Sequence, residues 1–178
     1  MQLYLKMDLC GEMDNMREEN VTKKIIKYLK KNNWEIIAYD FPQSGTGIMI
    51  LPDNNKSTKN KDSIIPDIVA YKNKVCIFFE NKNRLVKSDF DKVNNLIQNN
   101  RYINNINKFL SQYDVTNIYY GIGLPYDVRI NSILEYSQLV DFVLKVSEDE
   151  SVEIVTDKYN IFYVDGLYGR EYKSDKRI

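Results

Sequence analysis

Apolar residues recur at helical spacing in two parts of the chain. Residues 15–32 carry lysines on the face opposite their apolar positions, which is the pattern of an amphipathic helix. These apolar positions are Val21, Ile25, Ile26 and Leu29. A second helical region is predicted from Asp89 to about Leu110, with Ser88 as its N-cap and Asn99–Asn100 as a candidate break.

Shorter apolar runs between and after these helices have the length and residue types of strands. They lie in WEIIAYDF (34–41), in both halves of IIPDIVAYKNKVCIFFENKNR (64–84) and in NIYYGIGLP (117–125). Polar PDNNKSTKNKDS (52–63) predicts an exposed loop before the second of these stretches.

The last part of the chain predicts further strands. In residues 140–146, apolar residues alternate with Asp141 and Lys145, which is typical of a half-buried strand. The acidic sequence SEDES (147–151) then predicts a turn, and VEIVTDKYNIFYVDG (152–166) predicts one more strand pair.

The composition limits what the protein can do. The chain has 178 residues, 43% of them hydrophobic, so we expect one packed domain over residues 1–178. Its 25 Lys and Arg residues balance 25 Asp and Glu residues, so a polyanion would have to bind at a local patch. Because the chain has only two cysteines and no histidine, zinc fingers and catalytic triads that use histidine are excluded. Because neither a signal peptide pattern nor a membrane-length apolar run occurs, we expect a soluble, cytoplasmic protein without a membrane partner.

Charged residues lie at the ends of the two apolar runs in residues 64–84. If these runs form an antiparallel hairpin that turns at Asn73–Lys74, Asp67 lies opposite Glu80. A three-residue loop would shift the register by one residue and still leave the two carboxylates adjacent. Glu80 and Lys82 are two residues apart and therefore project to the same face. Since a divalent cation relieves repulsion between carboxylates, and Mg²⁺ prefers oxygen ligands, Asp67 and Glu80 are candidate magnesium ligands.

Pro66-Asp67 followed by Glu80-Asn81-Lys82 resembles the PD-(D/E)xK motif of restriction-endonuclease-like nucleases. The hairpin is similar to that of archaeal Holliday junction resolvases, in which a PxSGS-like turn comes first; PQSGT (42–46) stands in that place here. The resemblance covers roughly Glu18 to Pro125. It implies a single-domain α/β fold, a restriction-endonuclease-like mixed β-sheet flanked by helices, with its core in residues 15–125.

The same resemblance implies roles for the charged residues. Asp67 and Glu80 would bind Mg²⁺, and Lys82 would position or deprotonate the attacking water. In many members of the family a glutamate on the first helix completes the site, but the expected position is Thr22 here. Glu18 lies one turn earlier on the same helix face, so Glu18 is the predicted catalytic residue and metal ligand, with Glu19 as the alternative.

Simpler interpretations exist for these residues. Asp67, Glu80 and Lys82 could form a surface ion-pair ladder, although that explains poorly why Lys82 shares a face with Phe78. Glutamates in the first turn of a helix are favourable with the helix dipole and need no catalytic role.

Candidate DNA contacts lie in polar turns outside this cluster. Their hydroxyl groups and cationic side chains could hold backbone phosphates. They are Ser44, Thr46, Lys56, Lys59, Lys61 and Arg84.

These features together predict an Mg²⁺-dependent DNA endonuclease. The main hypothesis is a type II restriction endonuclease, a homodimer that cuts specific sequences in double-stranded DNA. Residues 126–178 would be a strand-rich extension for target recognition or dimerisation. The neutral net charge favours this over a junction resolvase acting on branched DNA, which would use a broad basic surface. A third hypothesis is a non-catalytic DNA-binding or protein-interaction module on a nuclease fold.

Overall fold

The computed structural model describes residues 16–40, 47–54 and 62–162. The helices are α1 (Glu18–Lys31), α2 (Lys87–Gln98), α3 (Ile103–Phe109) and α4 (Ile130–Leu134), with 3₁₀ turns at Asn100–Tyr102 and Ser137–Leu139. The strands are β1 (Glu35–Tyr39), β2 (Ile68–Lys72), β3 (Val75–Asn81), β4 (Asn117–Pro125), β5 (Phe142–Val146) and β6 (Val152–Asp157). None of the helices in these described ranges has the length and hydropathy of a membrane span.

The six strands form one mixed sheet in the order β1-β2-β3-β4-β5-β6. β1, β2 and β3 are antiparallel, β3, β4 and β5 are parallel, and β6 returns antiparallel to β5. Parallel neighbours need long crossover connections, which α2 and α3 supply between β3 and β4 and α4 supplies between β4 and β5. The predicted single-domain α/β fold, a mixed sheet flanked by helices, is confirmed.

Each face of the sheet has its own hydrophobic core. α1 packs its buried residues Val21, Ile25 and Leu29 on one face, where Phe79 and Phe142 lie. On the other face α2 and the loops around α4 pack against Phe78 and Tyr120. Because strand side chains alternate between faces, neighbouring residues of β3 contribute to opposite cores.

The hairpin of β2 and β3 has the predicted two-residue turn. Asn73 and Lys74 have φ angles of 49° and 67°, as a tight hairpin turn with two left-handed residues requires. The strands pair from Lys72 with Val75 to Ile68 with Phe79. This register is the one predicted for a two-residue turn, so the alternative three-residue loop is excluded. It ends one residue before Asp67 and Glu80, which follow the Ile68–Phe79 pair.

Strand β5 does not have the predicted half-buried character. All five of its residues are buried, and Lys145 is only 4% exposed. The reason is that β4 and β6 pair with its two edges while both sheet faces are covered, so neither set of alternating side chains reaches water. The Lys145 ammonium lies 3.5 Å from a Glu153 carboxylate oxygen and 4.4 Å from the centre of the Tyr126 ring.

One further expectation needs correction. Ser88 is not the N-cap of the second helix, because α2 begins at Lys87 with Val86 before it and without a side-chain cap. The candidate break at Asn99–Asn100 is confirmed, because the extended backbone at Asn99 separates α2 from the 3₁₀ turn and α3. Of the predicted final strand pair, β6 is present, and the remainder from residue 163 lies outside the described residues.

Gly121 on β4 provides a test of the packing beneath α1. A Cβ atom built there would lie 2.2 Å from two ring atoms and 2.5 Å from the carbonyl oxygen of Phe142. Since the backbone of β5 cannot move away, we expect Gly121→Ala to lower the free energy of unfolding by about 1–3 kcal/mol. Ser88→Ala, which removes no cap, should change it by less than about 0.5 kcal/mol. Urea unfolding measures both; equal stability of the two variants would contradict this packing.

Candidate active site

The hairpin register brings Asp67 and Glu80 together at one end of the sheet. Asp67 comes directly before β2, whose ladder with β3 ends at the Ile68–Phe79 pair, and its backbone N–H donates to the Phe79 carbonyl at 2.9 Å. The backbone N–H of Asn81 donates to Asp67 Oδ2 at 2.5 Å. The Asp67 carboxylate is thereby held against the strand that carries Glu80.

Lys82 lies between two glutamates that come from different elements. Its ammonium is 3.0 Å from Glu80 Oε1 and 3.1 Å from Glu18 Oε1 at the start of α1. The Lys82 side chain is only 19% exposed, and its backbone N–H donates to the Gly123 carbonyl at 2.9 Å. The lysine is therefore fixed at its backbone and at its charged end.

The electrostatics of the cluster show an excess of negative charge. Burial raises the pKa of Asp67 from 3.8 to about 7; the Asn81 hydrogen bond and Lys82 oppose this shift, while the charges of Glu80 and Glu18 add to it. Burial by itself would lower the pKa of Lys82, but its contacts with Glu80 and Glu18 outweigh burial and raise the pKa. The single positive charge of Lys82 thus lies among three carboxyl groups, those of Asp67, Glu80 and Glu18.

The chemistry of these side chains suits a divalent cation. Within the three described ranges, no group of three or more Cys, Asp or Glu side chains is arranged to hold a metal ion. Mg²⁺ commonly uses only one or two carboxylates and keeps several waters, so Asp67 and Glu80 fit it in type and number. The magnesium site and the role of Glu18 as a third ligand stay predictions.

A buried hydrogen-bond network, which the sequence patterns do not reveal, positions α1 over this site. The Asn81 Nδ2 group donates to Thr22 Oγ1 at 3.0 Å, and the Thr22 hydroxyl donates to the Glu18 carbonyl at 3.1 Å. Asn81 is fully buried, and its Oδ1 atom has no hydrogen-bond partner among the residues that the structure describes. A Cβ atom at position 123 would lie 2.2 Å from this Oδ1, so Gly123 is required for the amide to fit.

The family resemblance implies a glutamate at position 22. Thr22 stands there instead, and it has a structural role in this hydrogen-bond network. Two features of the sequence could have indicated the contact between Asn81 and Thr22. They are the amide at the middle of Glu80-Asn81-Lys82 and the glycines of YGIG (120–123). Glu19, the alternative to Glu18, is instead paired with Lys23 at 2.5 Å.

The structure describes only one of the candidate DNA contacts. Arg84 is exposed after β3, and it has no hydrogen bond or ion pair within the described residues. The other predicted contacts lie outside the described residues: Ser44, Thr46, Lys56, Lys59 and Lys61.

Comparison with known proteins gives weakly similar solved structures, among them the following two. The crystal structure of an XisH family protein from Nostoc punctiforme PCC 73102 is 15% identical, with a TM-score of 0.34 over 76% of this chain and 98% of that chain. A fdxN element excision controlling factor protein from Anabaena variabilis is 20% identical, with a TM-score of 0.35 over 78% and 98%. At these values the likeness carries no inference about the function of this chain. No protein-family model and no curated protein matches it.

The raised pKa of Asp67 predicts a specific pH dependence of stability. The folded state holds the protonated form more tightly than the unfolded state, so this group's stabilising contribution is complete below about pH 4 and is lost as the pH rises through about 7. In Asp67→Asn, whose side chain stays neutral, that loss should be absent. Urea unfolding in EDTA at about pH 5 and about pH 8 measures the difference; an equal pH dependence in wild type and variant would contradict the buried position of Asp67.

The Thr22–Asn81 hydrogen bond predicts a cost for an isosteric change. Thr22→Val removes the oxygen that accepts from the buried Asn81 amide, and leaving a buried donor unpaired costs about 1–3 kcal/mol. Thr116→Val is the matched control, because the Thr116 hydroxyl has only exposed hydrogen bonds among the described residues: it donates to the Lys74 carbonyl and accepts from Asn117 Nδ2. Their loss should cost less than about 0.5 kcal/mol. Thermal melts would contradict the network if both variants melted at the wild-type temperature.

Proposed function

We propose that this protein is a metal-dependent DNA endonuclease. The observation that carries the proposal is the cluster at the end of the hairpin. There Lys82 is held 3.0 Å from Glu80 and 3.1 Å from Glu18, beside a partly buried Asp67 whose pKa is raised to about 7. A surplus of carboxylates at a sheet end, with a fixed ammonium among them, is suited to holding a cation and a phosphodiester together.

Each residue of the cluster would have a distinct task. Asp67 and Glu80 would hold Mg²⁺, which when bound would withdraw charge from the phosphodiester and acidify a water molecule. Lys82 has a raised pKa, so it stays protonated at neutral pH and acts as a donor to a phosphate oxygen rather than as a base. Glu18 would hold Lys82 in place from the side of α1.

Among nucleases, a type II restriction endonuclease remains the more specific proposal. The formal net charge is zero, so the protein lacks the general positive field with which a shape-reading resolvase would hold branched DNA. Such a restriction enzyme would act as a homodimer on double-stranded DNA. The resolvase-like alternative rests on the similarity of the hairpin sequence.

One observation favours a second candidate, a non-catalytic module on the same fold. Lys82 already pairs with both glutamates without a metal, and such ion pairs can be purely structural. In that case the cluster would stabilise the junction between α1 and β3, and DNA or another protein would bind without being cut.

DNA substrates distinguish these proposals. Incubation of the protein and Mg²⁺ with long plasmid or phage DNA should give discrete bands if it recognises a sequence. A resolvase would instead nick four-way junctions symmetrically and leave linear duplex intact. Binding without cleavage of either substrate would support the non-catalytic module, and a smear on all substrates would contradict both specific nuclease proposals.

Variants of Glu80, Lys82 and Glu18 test the roles of these residues in catalysis. Glu80→Ala removes a metal ligand and should abolish cleavage, while Lys82→Ala removes a donor to the transition state and should lower kcat about 10²–10³-fold. Glu18→Ala should also lower kcat, because Lys82 loses one of its two anchors. Glu19→Ala is the matched control, since Glu19 pairs with Lys23 instead, and it should cleave as wild type does. Cleavage by Glu80→Ala at the wild-type rate would contradict the catalytic assignment.

A further inference from the structure

A cavity opens beside the charged cluster. It has a volume of about 740 Å³ and lies between α2 and the face of the sheet that carries Phe78 and Tyr120. We call it the α2 cleft. Its floor consists of Phe78, Val93, Leu96, Tyr102 and Tyr120, and its rim carries Lys92, Asn95, Asn99 and Arg101.

The α2 cleft is continuous with the proposed active site through Glu80. This residue lines the cleft and is also paired with Lys82 at 3.0 Å. A phosphodiester held at the cluster would therefore have the cleft immediately next to it. The group nearest to this phosphate is the nucleoside to which the phosphate is covalently bonded.

The polar groups of the cleft are partly free to bind a ligand. The Tyr120 hydroxyl forms no hydrogen bond within the described residues although the residue is only 9% exposed. This hydroxyl is not one of the enclosed polar atoms that lack a partner, so it is open to the cleft, where a ligand could form a hydrogen bond with it. Asn99 uses its Oδ1 to accept from the Arg101 backbone and keeps its amide donors, whereas the Arg101 guanidinium is already paired with Asp62 at 2.8 Å.

We propose that the α2 cleft takes one nucleotide of the bound DNA strand, with its base turned out of the helical stack, next to the phosphate at Glu80. This inference rests on the proposed nuclease function. An apolar floor with a few polar groups is the usual composition of a small-ligand pocket, and the cleft volume falls within the usual range of about 300–1,000 Å³ for such pockets.

The chemistry of the rim favours a base over other apolar groups. Side-chain amides such as those of Asn95 and Asn99 pair well with base edges, and Lys92 can contact a phosphate of the same strand. The Lys92 ammonium is only weakly engaged, 3.4 Å from Asp89 Oδ1. A base that is already unpaired would enter with less cost, because turning a paired base out of a duplex costs a few kcal/mol.

DNA binding measured in EDTA tests this inference apart from cleavage. Fluorescence anisotropy would compare a short paired duplex with the same duplex carrying a central run of T·T mismatches. Wild type should bind the mismatched duplex about tenfold more tightly. Asn95→Trp, which fills the mouth of the cleft from its exposed rim, should abolish this preference.

Two further variants keep the test decisive. Gln98→Trp places the same ring on α2 at an exposed position that does not line the cleft, and it should keep the preference. Tyr120→Phe removes only the hydroxyl and should reduce the preference even if Asn95→Trp does not fold. Equal binding of the two duplexes by wild type, or a preference that survives in folded Asn95→Trp, would overturn the inference.

The source of the nucleotide and the link to cleavage are tested separately. Thymidine monophosphate that competes as strongly as the mismatched duplex would indicate a site for free nucleotides and overturn the assignment to a DNA strand; weak competition supports it. A preference for mismatched DNA without any cleavage in Mg²⁺ would contradict the nuclease function alone. Cleavage without the preference would contradict the cleft assignment alone.

Discussion

The register of the β2–β3 hairpin is the constraint on which the rest of the structure depends. The left-handed conformations of Asn73 and Lys74 allow only a two-residue turn, and a slip of one residue would move every side chain of a strand to the opposite face. With this register Phe79 lies in the core beneath α1 and Phe78 in the core beneath α2. The same register sets Asp67 against the strand of Glu80, so the fold and the candidate site are determined together.

The second requirement is that α1 brings its first turn to this hairpin end. The amide of Asn81 makes that connection through Thr22, and Gly123 on the neighbouring parallel strand leaves room for it. Lys82 then meets Glu18, a residue 64 positions away in the sequence. Because one lysine must balance three carboxyl groups, the cluster is electrostatically incomplete, which is the physical basis for assigning a cation and a phosphodiester to it.

Local patterns in the sequence were sufficient for the features that depend on near neighbours. The helix of Val21, Ile25 and Leu29, the turn at Asn73 and the position of Asp67 opposite Glu80 all follow from spacing within a short stretch. Lys145 was misjudged because it is packed against Glu153 of β6 and the Tyr126 ring, which the alternation within β5 itself does not show. The Asn81–Thr22 contact and the cleft over Tyr120 also involve elements that are distant in the sequence. The periodic pattern within a single element does not predict such contacts. Ser88 has the residue type of a cap, but Lys87 already lies within the helix.

Calorimetric titration of Mg²⁺ into the metal-free protein tests the proposed magnesium site without any knowledge of the DNA substrate. If Asp67 and Glu80 hold the metal, wild type should give a saturable binding heat that is lost in Asp67→Ala and in Glu80→Ala. The heat should be kept in Lys82→Ala, because an ammonium is not a ligand for Mg²⁺. Glu153→Ala, in which the carboxylate removed is paired with Lys145 on the far strands, should bind as wild type does. No Mg²⁺ binding by wild type, or binding that persists when both Asp67 and Glu80 are replaced, would contradict a magnesium site at these residues.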